Sequence, residues 1–120
     1  MTYKFQKLEI YQLEYLDLIY ALADKLPKSE DFNLKSQITR AATSIVLNIA
    51  EGSTSQSDAE QSRFLGMALR SLVETVACQD IIERRKYVAI DELRPSRELG
   101  SKLFAKIQSM KKFLGQSQAK

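Results

Sequence analysis

Apolar residues recur at threes and fours along almost the whole chain, and no stretch keeps a strand's alternation for long. Phe5 to Leu26 predicts helix 1. Leu8, Tyr11, Tyr15, Ile19, Leu22 and Leu26 share one face, and Pro27 stops the helix. A second apolar patch, Leu13, Leu16 and Tyr20, sits about a third of a turn away. A lone bundle helix has no use for it. The polar connector KSEDF carries one aromatic anchor, Phe32. Residues 34–51 predict helix 2, with Asn33 as its N-cap and Gly52 as the residue that tolerates a left-handed end. Ser57-Asp58-Ala59-Glu60 fits a capping box and opens helix 3, residues 58–85. Leu65, Leu69, Leu72 and Val76 form its core line, flanked by Phe64, Ala68, Ser71 and Thr75. After a turn from Lys86 to Ile90, helix 4 covers residues 91–114, starting at Asp91 or at Pro95. It turns Leu99, Leu103, Ile107, Met110 and Leu114 inward, and the tail GQSQAK is expected to fray. Four helices on short loops predict an all-α fold, an antiparallel up-and-down four-helix bundle, as one domain over residues 1–120.

Helix 2 departs from the surface-helix pattern. Leu34, Ile38, Ala42, Ile45, Val46 and Ile49 form an apolar arc, with Ala41 at its edge. Gln37, Arg40, Ser44, Asn48 and Glu51 form a polar stripe, and Ser36, Thr39, Thr43 and Ala50 a third arc of small uncharged residues. A surface helix presents a charged face to water. From Gln37 to Gly52 only Arg40 and Glu51 are charged, so this helix is expected to be packed on most sides. Ser71 and Glu74, three apart on helix 3, are candidate partners for the stripe. The expectation is a structural polar network of Gln37, Arg40, Ser44, Asn48, Glu51, Ser71 and Glu74, with Arg40 buried against Glu74 or Glu51.

Composition removes whole classes of chemistry. The chain of 120 residues has no His, so no Ser-His-Asp or Cys-His pair, paired-His zinc site or Glu-x-x-His di-iron motif exists. No catalytic residue, metal ligand or cofactor is expected. The single Cys78 lies in an apolar helical pattern and reads as a buried thiol of a reducing compartment. The longest uncharged run, Ala41 to Ala50, is too short to span a bilayer, and the N-terminus lacks an apolar signal region. The expected location is therefore the cytoplasm, with no membrane partner.

Several of these residues together carry a resemblance. Glu30, Phe32, Leu34, Gln37, Arg40-Ala41-Ala42, Ser44-Ile45 and Asn48-Ile49-Ala50-Glu51-Gly52, then Ala68, Ser71 and Glu74, resemble the signature of a four-helix-bundle family. It is the family first known from intervening sequences in 23S ribosomal RNA genes, to which the accessory variability proteins of diversity-generating retroelements are related. Relatives often carry Gly where Asn33 stands, Ser or Thr where Lys35 stands and Pro where Val46 stands. The cap of helix 2 is therefore expected to differ here, and no proline kinks its middle. The resemblance implies a small bacterial protein that forms a barrel-like homopentamer. In the retroelement members it also implies binding of nucleic acid and docking of a reverse transcriptase.

Charge is uneven. Residues 1–60 hold 6 basic and 9 acidic side chains, and residues 61–120 hold 12 and 6. Arg63, Arg70 and Arg84 are spaced by multiples of seven on helix 3, facing away from its leucine line, and Arg85 and Lys86 extend them. Lys102, Lys106, Lys111 and Lys112 load helix 4. The candidate nucleic-acid residues are Arg63, Arg70, Arg84, Arg85, Lys86, Lys102 and Lys106, set against the plain alternative of a solvated helix face. Two function classes stay open. One is a non-enzymatic homo-oligomeric scaffold that holds RNA or DNA by its phosphates; the other is an assembly or adaptor protein with no nucleic-acid role.

Overall fold

A computed structural model describes residues 3–118. Its four helices are α1 (Tyr3–Ala23), α2 (Leu34–Thr54), α3 (Asp58–Arg84) and α4 (Ile90–Gln118), with a short 3-10 turn at Lys28–Glu30. No strand occurs among the described residues. Each helix packs on its neighbours in the chain, and α1 closes the bundle against α4. The register is antiparallel throughout: Tyr20 meets Thr43, Ser44 meets Ser71, Asp80 meets Arg97, and Lys25 meets Glu92. The all-α four-helix bundle expected from the apolar periodicity is the observed fold.

The core is built from the expected faces, with two displacements. Tyr15, Ile19, Ile38, Ile45, Ile49, Leu65, Leu72, Leu103 and Ile107 are fully buried. Leu99, Met110 and Leu69 are only partly so. Val76, placed on the core line of α3, is instead 39 % exposed, while Ala68, Thr75 and Gln79 are buried at 0–1 %. An α-helix gains slightly on a strict seven-residue repeat, so the contact stripe of a 27-residue helix drifts round its axis. Val76 lies on the side it drifts away from. Gln12 is also buried on α1, and its Oε1 has no hydrogen-bond partner.

Helix ends differ from the sequence reading for local reasons. α1 stops at Ala23, three residues early, because the residue before Pro27 disfavours the helical region. Asn33 does not cap α2 with its side chain. Glu30 replaces it, Oε1 accepting from the Leu34 N–H at 3.4 Å and from Asn33 Nδ2 at 3.0 Å. Gly52 is helical rather than left-handed, and α2 continues to Thr54. Its glycine serves close approach: a Cβ there would stand 3.2 Å from Phe64 Cβ and 3.4 Å from the Phe5 ring. The last carbonyls of α2 are satisfied by hydroxyls. Ser53 donates to Ala50 O, and both Thr54 and Ser55 donate to Glu51 O. Ser57 caps α3 as expected, accepting from the Glu60 N–H at 3.1 Å. α4 begins at Ile90, so Pro95 lies within the helix at an exposed position. The expected frayed tail is helical through Gln118; Ala119 and Lys120 lie outside the described residues.

The one left-handed residue among those described outside glycine is Lys86, with φ 58°. The Tyr87 N–H bonds Ile82 O and the Lys86 N–H bonds Glu83 O, which is the Schellman closure of α3. A side chain at that position costs about 1 kcal/mol relative to glycine. Lys86→Gly is therefore expected to raise the melting temperature by a few degrees, and an unchanged or lowered value in a calorimetric scan would contradict this account.

Candidate functional site

The polar stripe of α2 is only partly a network within the chain. Ser71 Oγ donates to Ser44 Oγ at 2.9 Å across the α2–α3 seam, and Asn48 Nδ2 donates to Ser44 Oγ at 3.1 Å and to Ser44 O at 2.9 Å. Gln37 turns back to Asn33 Oδ1 at 3.2 Å. Arg40, Glu51 and Glu74 are exposed, and no ion pair joins Arg40 to either carboxylate among the described residues. The expected buried Arg40 pair is thus not made inside one chain. The reason is geometric: α3 meets the middle of the stripe at Ser44, but Arg40 and Glu51 stand at its open edge, exposed on the outer side of α2. Arg40 instead lies where two shallow grooves meet, one shared with Tyr20, Leu47 and Glu51, the other with Phe32, Gln37 and Glu74.

That outer face is more apolar than the sequence reading had it. Leu47, absent from the three arcs, is 59 % exposed, with Leu13 at 43 % and Tyr20 at 45 %. Phe32, expected as an anchor, is 100 % exposed. The small arc satisfies itself. Thr39 Oγ1 donates to Lys35 O and Thr43 Oγ1 to Thr39 O, while the Tyr20 and Thr43 hydroxyls meet at 3.0 Å. The threonine hydroxyls of this face are bonded and its hydrocarbon is open.

The candidate basic residues divide into three places. Arg63 and Arg70 stand exposed on the first half of α3, and Lys111 joins them from α4. Its Cε lies 3.2 Å from where a Cβ on Gly66 would stand, within one turn of both arginines. Arg63 lies over the Phe64 ring at 4.7 Å, and none of the three cations makes an ion pair among the described residues. Lys102 and Lys106 lie on the α1 side of α4, Lys106 Nζ standing 4.6 Å above the Tyr11 ring. Arg84, Arg85 and Lys86 sit at the far end of α3, about 20 Å or more along the axis from Arg70. They do not join Arg63 and Arg70.

That far end is crowded with carboxylates. The Tyr87 hydroxyl donates to Glu30 Oε2 at 2.7 Å, and this bond, then that from Asn33, holds the Glu30 carboxyl below the usual carboxylate range. Lys25 pairs with Glu92 at 2.7 Å and Lys35 with Asp24 at 3.6 Å. Arg85 leans on the Tyr87 ring at 6.0 Å. Charges here tie the loops together.

Sequence reasoning missed the buried polar centre. The Tyr15 hydroxyl lies 2.7 Å from Thr75 Oγ1 and accepts from Gln79 Nε2 at 3.1 Å, and Ser96 Oγ donates to Gln79 Oε1 at 2.7 Å. Gly100 gives the ring its room, since a Cβ there would be 2.9 Å from Tyr15 Cε1. Every member is bonded within the bundle, so the centre is structural. Cys78 is buried nearby on α3, and burial pushes its thiol above the ordinary 9.0, which leaves it unreactive at neutral pH. Among the described residues no cluster of Cys, Asp or Glu could hold a metal, and no helix is long and apolar enough to cross a membrane.

Comparison with known proteins bears on these surfaces. Among solved structures, the chain is similar to a protein of unknown function from the S23 ribosomal protein family of Bacteroides thetaiotaomicron VPI-5482. The two are 25 % identical, with a TM-score of 0.83 over 91 % of this chain and 98 % of that one. The comparison with curated proteins found no match. A family model described as 23S rRNA-intervening sequence protein matches residues 6–112. With nearly the whole chain inside that match and the four-helix fold in common, the chain belongs to the 23S rRNA-intervening sequence protein family.

Proposed function

We propose that this protein is a non-enzymatic homo-oligomeric scaffold, a pentamer by its family resemblance, that holds RNA or DNA through backbone phosphates. The observation that carries the nucleic-acid part is Lys111 reaching across to Gly66, which sets a third cation beside Arg63 and Arg70 on one exposed face. Glu74, one turn beyond Arg70, bounds the patch. Three cations on one protomer are a weak site. A symmetric ring repeats them, and linked weak sites gain avidity without any new contact.

The test is a titration of the protein with fluorescent RNA and duplex DNA at low and physiological salt. Binding is expected to be weakly sequence-selective and to fall steeply with salt, because each neutralised phosphate releases a counterion. Arg63→Glu with Arg70→Glu is expected to remove most of it and leave the melting curve nearly unchanged, since exposed charges contribute little to stability. The second reading is an assembly or adaptor protein with no nucleic-acid role, and the open hydrocarbon of Leu13, Tyr20, Phe32 and Leu47 favours it. No binding at low salt would decide for that reading. A reverse transcriptase partner belongs to the first reading only.

A further inference from the structure

We infer that a groove between α3 and α4 is the receiving half of a joint between copies of this chain, and that it takes the exposed α1–α2 band of the next copy head-to-tail. The inference rests on the homo-oligomeric reading and is independent of nucleic acid.

The groove is lined by Val73 and Val76 of α3 and by Arg97, Ser101 and Phe104 of α4, over Gly100. Its volume is about 350 Å³, room for a few side chains. Val73 and Val76 are exposed and Phe104 is half-buried, so its walls are hydrocarbon open to water. Gly100 and Ser101 give the groove its depth, because they bring little bulk where α4 passes α3. Arg97 supplies the charge of the lining and is tied to Asp80 at 2.8 Å.

The chain carries a complement on its opposite side. Helix contacts run from α1 to α2, α3 and α4 and back to α1, and among the described residues none crosses a diagonal of the bundle. The α1–α2 face therefore lies opposite the α3–α4 face. Residues 13, 17, 20 and 24 follow one another at four, three and four, so Leu13, Asp17, Tyr20 and Asp24 share one stripe of α1. Tyr20 meets Thr43, which sets this stripe beside Leu47 of α2. From Leu13 to Tyr20 the band runs about 10 Å along its helix, and the groove from Arg97 to Phe104 runs about the same.

Charge selects the pairing. Asp17 and Glu51 edge the band, and neither makes an ion pair among the described residues. Residues 1–57, which supply α1 and α2, hold 6 basic and 7 acidic side chains; residues 58–120, which supply α3 and α4, hold 12 and 8. Two bands joined about a two-fold axis would bring their carboxylates together and leave both grooves open. A band seated in a groove covers both apolar surfaces and meets the basic half of its neighbour. Because the two faces differ, each copy offers one and receives on the other, which is the contact that builds a ring.

Light scattering of the full chain tests this with three variants. Leu47→Asp spoils the band, Val73→Asp spoils the groove with a charge, and Ser101→Trp fills the groove without one. Circular dichroism checks that each is folded. Each is expected to be monomeric at a concentration where the native chain is assembled. An equimolar mixture of Leu47→Asp and Val73→Asp is expected to form dimers of twice the monomer mass, because the first keeps a sound groove, the second a sound band, and neither joint partner can extend further. Assembly that survives both Val73→Asp and Ser101→Trp would overturn the groove and leave the homo-oligomeric reading standing. A mixture that stays monomeric well above the concentration at which the native chain assembles would overturn the head-to-tail pairing. A native chain that is itself monomeric would overturn both.

Discussion

Tyr15→Ala is expected to lower the melting temperature by roughly 12–20 °C. Removing a fully buried aromatic ring costs roughly 3–5 kcal/mol, and a domain of this size loses about 4 °C per kcal/mol. The ring is 1 % exposed and fills the space that Gly100 leaves. Tyr15→Phe separates the two parts of the loss. It keeps the packing but takes the bond from Thr75 and one of the two partners of Gln79 Nε2, which then keeps only Thr75 O at 3.3 Å. That change is expected to cost about 1–3 kcal/mol. The same hydroxyl has a pH signature. Burial pushes the phenol above its ordinary 10.0, outweighing the opposing pull of the Thr75 and Gln79 hydrogen bonds. With the folded value raised, the unfolded chain ionises first, so this group leaves stability untouched below pH 10 and reduces it as the pH climbs further. Thermal melts of the native chain and Tyr15→Phe from neutral to alkaline pH test this. A native curve that falls above pH 10 no more steeply than that of Tyr15→Phe would contradict it.

Leu47→Asp is expected to reduce the protein to monomers in light scattering while leaving its helical circular dichroism intact. Leu47 projects from α2 opposite Leu16 of α1 by the register of the Tyr20–Thr43 bond, and Leu13 and Tyr20 continue the same band. Burying a leucine that stands 59 % open contributes on the order of 1 kcal/mol per copy, and a ring repeats that gain at every interface. An aspartate there would have to be desolvated without a partner. Because the position is open within one protomer, the fold itself should tolerate the change. A native chain that is monomeric at micromolar concentration would remove the assembly reading, and an assembly indifferent to Leu47→Asp would move the interface off the α1–α2 face.

The number, order and approximate span of the helices follow from local sequence. A period of three and four along Leu8 to Leu22, or Leu103 to Leu114, leaves an isolated chain one way to hide its apolar residues, and Ser57 and Pro27 act on their neighbours alone. Three decisions belonged to the tertiary structure. Gly52 was legible as a glycine near a helix end, but its cause, the approach of Phe64 and Phe5, lies on other helices. Thr75 and Gln79 look like polar residues beside a leucine line; only the drift of the α3 contact stripe turns them inward to Tyr15 and Ser96. Arg40 stood out as the one cation between Gln37 and Gly52, yet periodicity cannot say which flank of a helix its neighbours cover. α1 and α3 take two sides of α2 and leave the third, with Arg40 and Leu47, facing outward. The basic residues make the same point. Spacing by sevens put Arg84 on a line with Arg63 and Arg70, but length along the axis separates it from them, and Lys111 came from another helix to take its place. Residues within one turn of each other meet by the geometry of the helix; residues on different helices meet only through packing, which no local pattern records.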